Sequence, residues 1–149
     1  MMTSQIQQAA FDVGQRMQAM HTNHDIGAIV SFVGHVRSHC ADGQIDELFL
    51  EHYAGMTEAS LAQIEATACS KWPLLGVDIV HRYGALKPGD AIVFVAVASA
   101  HRQAAFDAAN FIMDILKTQA PFWKREKRNG QAHWVESRDS DLTAAQRWS

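Results

Sequence analysis

Residues 91–98 read Ala91-Ile-Val-Phe-Val-Ala-Val-Ala98, an apolar run entered through Lys87-Pro88-Gly89-Asp90 and left through Ser99-Ala-His-Arg102. Eight residues suit one strand and fall far short of the roughly 18 that span a membrane. No polar position alternates within the run, so it predicts a strand covered on both faces, at the centre of a sheet. The Pro-Gly-Asp turn before it is a strong chain reversal. After it, Ser99 is the expected N-cap of a long helix over residues 100–119, in which Ala104, Ala108, Phe111, Ile112, Ile115 and Leu116 form one apolar stripe. Lys117 falls in the last turn of that helix, and Pro121 closes it.

Towards the C-terminus, residues 122–128 and 131–136 flank Asn129-Gly130, the strongest short signal for a hairpin. Towards the N-terminus, a strand is expected over residues 77–83. Before it comes a helix with Thr57 as N-cap, Leu61, Ile64, Ala68 and Trp72 on one face, and its end before Pro73. Residues 27–36 read as a strand that runs into the polar loop 37–43, with residues 45–53 as the returning strand. Ile6, Ala9, Ala10, Val13, Met17 and Met20 recur at helical spacing and predict an amphipathic helix at the start of the chain. Neither a repeat nor a linker divides the sequence. The expected architecture is α+β, a single domain over residues 1–149 with an antiparallel or mixed sheet, packed helices and a C-terminal β-hairpin.

The 149 residues are 48% hydrophobic and 19% charged, within the globular range and enough to bury a core without disulfides or metals. Two cysteines, Cys40 and Cys69, make no disulfide framework and have no zinc spacing. With no leader-like or membrane-spanning segment in view, a cytoplasmic location is expected. Net charge is −3, yet residues 117–128 hold Lys117, Lys124, Arg125, Lys127 and Arg128 against Glu126 alone. A compact cationic cluster on an acidic chain points to a specific anionic ligand more than to a broad nucleic-acid face.

Lys117 at a helix end and Lys124 and Arg125 just beyond the Pro121 turn can converge on one cleft, the arrangement that holds phosphate. Arg37 at a strand exit and His101-Arg102 at a helix start are further candidates, because helix N-termini offer free N–H groups to anions. Eight histidines show no pair at ligand spacing, so no metal is expected. Cys40 beside His39 lacks an evident base, and Glu51-His52 is left unassigned. Phe122, Trp123 and Trp134 beside cations would also suit stacking on single-stranded nucleic acid, which keeps a binding module open as the alternative.

Taken together, Gly34-His-Val-Arg37, Leu50-Glu-His-Tyr-Ala-Gly-Met56, Pro88-Gly-Asp90, Ser99-Ala-His-Arg102 and above all Lys117-Thr-Gln-Ala-Pro-Phe-Trp-Lys-Arg-Glu126 resemble the large-subunit family of molybdopterin synthases, in consistent order over residues 11–148. The resemblance implies an α/β-hammerhead-like fold and a sulfurtransferase of molybdenum-cofactor biosynthesis. Such an enzyme converts cyclic pyranopterin monophosphate into molybdopterin by installing two dithiolene sulfurs. The implied donor is a small ubiquitin-like subunit whose C-terminal Gly-Gly carries a thiocarboxylate, and the implied assembly is a homodimer of large subunits within a heterotetramer. No metal or nucleotide cofactor is implied.

Carried over by motif, Lys117 and Lys124 stand at the catalytic positions, and His35, Val36, Arg37, His101, Arg102, Arg125 and Glu126 at the pterin-binding ones. Phe32 and Met113 stand at the pocket wall, and Arg138 resembles an arginine that reaches the site from the neighbouring large subunit. Position 35 departs from relatives that carry Lys there, and the Cys40 loop is no family signature. The expected chemistry has the thiocarboxylate sulfur attacking an electrophilic side-chain carbon of the pterin. Lys117 then serves as acid, base or transient covalent partner, and Arg37, Arg102 and Lys124 hold the phosphate. Depression of the Lys117 amine by Lys124 and Arg125 is expected to help. A non-catalytic scaffold that only binds a ubiquitin-like tail is the third reading.

Overall fold

The structure, a computed structural model, describes residues 1–40, 43–120, 122–135 and 139–148. In chain order the elements are β1 (Met2–Gln7), α1 (Val13–Ala19), β2 (Ala28–His35), β3 (His39–Cys40), β4 (Gly43–Gln44), β5 (Glu47–His52) and α2 (Met56–Lys71). They continue with β6 (Leu74–Arg82), β7 (Gly84–Leu86), β8 (Ala91–Ser99), α3 (Arg102–Gln119), β9 (Phe122–Arg128), β10 (Gln131–Val135) and α4 (Asp139–Gln146). One mixed sheet has the order β1-β6-β8-β2, with only the β1–β6 pair parallel; a second, antiparallel sheet has the order β10-β9-β5-β7.

The apolar run 91–98 is covered on both faces, as its composition requires. Val93, Val95 and Val97 of β8 pack with Val77 and Ile79 of β6 against Leu61, Ile64 and Ala68 of α2 and the buried stripe of α3. The alternate residues Phe94, Ala96 and Ala98 turn to the opposite face, where Val80, Met20, Phe11, Val13 and Met17 cover them. Full burial of each large aliphatic or aromatic side chain stabilises the fold by roughly 1.5–3 kcal/mol, which makes this two-sided layer the main source of stability. A smaller cluster of Val36, Leu48, Leu50 and Leu86, with Phe122 against it, joins the second sheet to the first.

Several elements differ from the sequence reading. The start of the chain is a strand followed by a short helix. Residues 2–7 pair in parallel with residues 77–82 of β6, and only Val13, Met17 and Met20 of the expected helical stripe contribute to the packing of α1. A buried polar node locks this arrangement: Asp78 accepts from Arg16 Nε at 2.8 Å, Arg16 Nη2 at 3.0 Å and Thr3 Oγ1 at 2.6 Å. The segment 45–53 yields a strand that does not return along β2. A register irregularity between Gly34 and His35 ends the β2–β8 ladder, and Val36 is tied to the turn by Val36 N donating to Asp90 O and Gly89 N to Val36 O. The chain is thereby delivered into the second sheet, where β5 pairs with β7 and β9.

Helix starts also shift. Gly55, at φ 87°, caps α2 and its N–H donates to the Glu58 carboxylate, while Thr57 is buried inside the first turn with its hydroxyl accepting from Tyr53 N. His101, not Ser99, is the cap residue of α3, because Ser99 completes β8 and its hydroxyl donates to Pro73 O. The α3 stripe buries Ala105 rather than Ala104. The hairpin forms as expected, with Asn129 at φ 51° and Gly130 at φ 77°, the two positive values that a two-residue connection of matching twist demands. Helix α4 was not anticipated; Arg147 and Trp148 just beyond it both donate to Asp114 of α3, at 2.6 Å for Arg147 Nη2 and Trp148 Nε1.

Candidate functional site

A cleft of about 320 Å³ opens where the end of β2, the C-terminal half of α3 and the second sheet meet. Helical spacing brings Met113, Leu116 and Lys117 of α3 to its wall, since residues three and four apart share a face, and Ala120 joins them from the C-cap. The two-residue period of β9 turns Phe122, Lys124 and Glu126 into it. Where β2 leaves its ladder, Phe32, Gly34, His35, Val36 and Arg37 form the rim opposite. The floor is apolar, built from Leu48, Leu50, Ile92 and Val93, and Asp141 of α4 closes one side.

Cations therefore gather over an apolar floor, and this raises the cost of each charge. Burial pushes the Lys124 amine below its ordinary value, Lys117 adds to the depression and Arg37 contributes further, against opposition from Asp141 and Glu126. The cleft thus holds a depressed amine at Lys124, and among its causes is Arg37 rather than Arg125. His81, at the end of β6, also lines the cleft. Burial first, and then the charges of Lys124 and Lys117, push its imidazole down to about 4, against a hydrogen bond between Nδ1 and Arg82 O at 2.8 Å. An anion bound here would relieve repulsion among the cations, and an aromatic ring system would meet the floor without stranding polar groups.

Eight of the residues singled out from sequence line this one cleft: Phe32, His35, Val36, Arg37, Met113, Lys117, Lys124 and Glu126. Three do not. Arg125 faces the other side of the second sheet, its guanidinium 4.9 Å from the Phe49 ring centre and 5.6 Å from that of Trp134, the residues beside it in the ladder. His101 and Arg102 begin α3, while Lys117 lies in its last turn, on the order of 22 Å away at the helical rise. Arg138 lies outside the described residues. Trp123 and Trp134 are 52% and 60% exposed, edge-to-face at 6.0 Å. Lys124 and Arg125 point to opposite faces of the hairpin, so the cationic cluster read from sequence is divided between the cleft and the outer face. His52 packs its ring on Tyr83 at 4.0 Å, and among the described residues no cluster of three potential metal ligands occurs.

His81 and Asp141 were missed by the sequence reading. Position 81 continues the inward row of Val77 and Ile79, so a polar residue there was the available signal. Asp141 had none, because α4 itself was not legible.

Comparison with known proteins gives a uniform result. The family described as MoaE protein matches residues 6–119. The molybdopterin synthase catalytic subunit of Pseudomonas aeruginosa is 57% identical over 148 residues, covering 99% of each chain. Among solved structures, the molybdopterin biosynthesis MoaE protein of Burkholderia ambifaria superposes with TM-score 0.85 at 44% identity, over 99% of this chain and 98% of that one. The molybdopterin synthase structure from Staphylococcus aureus superposes with TM-score 0.81 at 33% identity, over 88% and 95% respectively.

Proposed function

The chain belongs to the MoaE protein family, and from that premise we propose that its cleft binds cyclic pyranopterin monophosphate and transfers sulfur to it. The protein is the catalytic subunit of a molybdopterin synthase. The observation that carries the finer reading is the convergence of Arg37, Lys117 and Lys124, from three separate stretches, over one apolar floor. Cations so placed grip phosphate, and the floor accepts the ring system.

In this reading a small ubiquitin-like subunit presents its C-terminal Gly-Gly thiocarboxylate at the cleft. The sulfur attacks an electrophilic side-chain carbon of the pterin, forming the new C–S bond as a C–O bond to that carbon breaks and its oxygen leaves as phosphate oxygen or water; a second water then cleaves the acyl–sulfur bond, leaving the sulfur on the pterin and a carboxylate on the carrier. Lys117 stands at the reacting centre to move protons or to form a transient covalent link. Lys124, with its depressed amine, gives up a proton more readily than an exposed lysine would, and Arg37 stabilises negative charge that develops as the cyclic phosphate opens. Two sulfurs require two such cycles.

His101 and Arg102 sit at the far end of α3, so their roles at a pterin site require a second copy of this chain, as does the role proposed for Arg138. A homodimer of large subunits flanked by two small subunits satisfies that requirement. Among the described residues no helix is long and apolar enough to cross a membrane, and we place the reaction in the cytoplasm. The direct test of the reacting residue is Lys117→Ala. Product formation is expected to fall by about 10²-fold or more, with the folded state and small-subunit binding kept, as for loss of one essential catalytic group. Full turnover by that variant would remove Lys117 from the centre of the scheme.

A further inference from the structure

His81 lines the cleft and has no part in the scheme above. Its ring is fixed on two sides. It stacks on Phe122 at 4.0 Å between centres with planes 23° apart, and its Nδ1 lies 2.8 Å from Arg82 O. A carbonyl can only accept, so Nδ1 carries the proton and donates it, and in the neutral ring Nε2 is left as an acceptor. Among the described residues Nε2 takes part in no hydrogen bond, nor is it a sealed, unsatisfied atom. The ring lines the same cleft as Lys117 and Lys124. Their charges and the burial of the ring keep it neutral near pH 7.

We propose that His81 is a specificity-determining residue of the cleft, whose Nε2 accepts a hydrogen bond from an N–H or O–H group of the bound heterocycle. The inference rests on the pterin reading above and deepens it. Arg37, Lys117 and Lys124 recognise the phosphate, which any phosphorylated ligand would supply. A fixed neutral acceptor among cations instead selects for a donor on the ring system. A pterin is rich in such N–H donors, and a ligand that lacks one would leave the Nε2 lone pair desolvated and unpaired. The stack on Phe122 also aligns the imidazole plane with an aromatic surface against which a flat ligand can lie.

The test compares binding of a phosphorylated pterin and of inorganic phosphate to the full chain and to three variants. His81→Asn keeps a donor for the Arg82 carbonyl and loses the acceptor at the Nε2 position, His81→Gln places an amide oxygen near that position, and His81→Leu keeps bulk alone. Pterin affinity is expected to fall about tenfold in the Asn and Leu variants and to recover in Gln, while phosphate affinity stays unchanged in all three. Unchanged pterin affinity in Asn and Leu would overturn the proposal, and so would a parallel loss of pterin and phosphate, which marks a packing role. If the wild-type chain binds phosphate but no pterin, the functional reading and this inference fall together; if it binds pterin and the variants do too, only His81's role falls.

Discussion

Placing an imidazole in a cationic, half-buried recess has a cost that depends on pH. The folded His81 ring protonates only near pH 4, whereas an unfolded chain takes up that proton near 6.5. Between those values the unfolded state binds more protons, so stability present above pH 6.5 is lost as pH falls, by up to about 3 kcal/mol once pH 4 is passed. Urea unfolding across that window should show this slope in the wild type and a shallower one, by the same amount, in His81→Phe. Equal slopes would mean that the ring is not held neutral by the fold. At this scale the sequence was informative where chemistry and spacing coincided: Lys117, Lys124 and Arg37 were legible because helix end, strand alternation and strand exit each assign a direction. Arg125 shows the limit. Its neighbour Lys124 points into the cleft, so strand alternation sends Arg125 to the opposite face, and no motif overrides that period.

Among the elements, the apolar run 91–98 and the Asn-Gly hairpin were legible because composition and turn chemistry act locally. The first twenty residues were not. Strand β1 exists only because β6 offers an edge to pair with, a contact about 75 residues distant in sequence, and the helical spacing of Ile6, Val13 and Met17 competes with it on paper. The node that decides the matter is long-range and polar: Arg16 of α1 on the buried carboxylate of Asp78 in β6, joined by Thr3 of β1. Removing one partner leaves an uncompensated buried charge. Arg16→Ala should therefore destabilise the protein by about 3–5 kcal/mol in thermal or denaturant unfolding. A loss below about 1 kcal/mol would show that water reaches Asp78 and that the node does not organise the N-terminal elements. Helix α4 was illegible for a related reason, since what anchors the chain beyond it is again distant, the Asp114 carboxylate of α3.

For the molecule as a whole, the recess is lined by residues of both sheets and of α3. The C-terminal half of α3 supplies Met113 and Lys117 to one cleft, while its N-cap His101 and first residue Arg102 lie at the other end. A single copy thus brings Arg37, Lys117 and Lys124 into one cleft and leaves His101 and Arg102 outside it, and the proposed dimer rests on that separation. The central claim is that this recess is where sulfur reaches the pterin. The measurement that tests it is to mix the purified protein with a thiocarboxylated small subunit and cyclic pyranopterin monophosphate, and to follow the products by mass. The account predicts a dithiolene-bearing molybdopterin, with the small subunit returned as its carboxylate. Unaltered pterin in the presence of a correctly folded, bound and thiocarboxylated partner would contradict it.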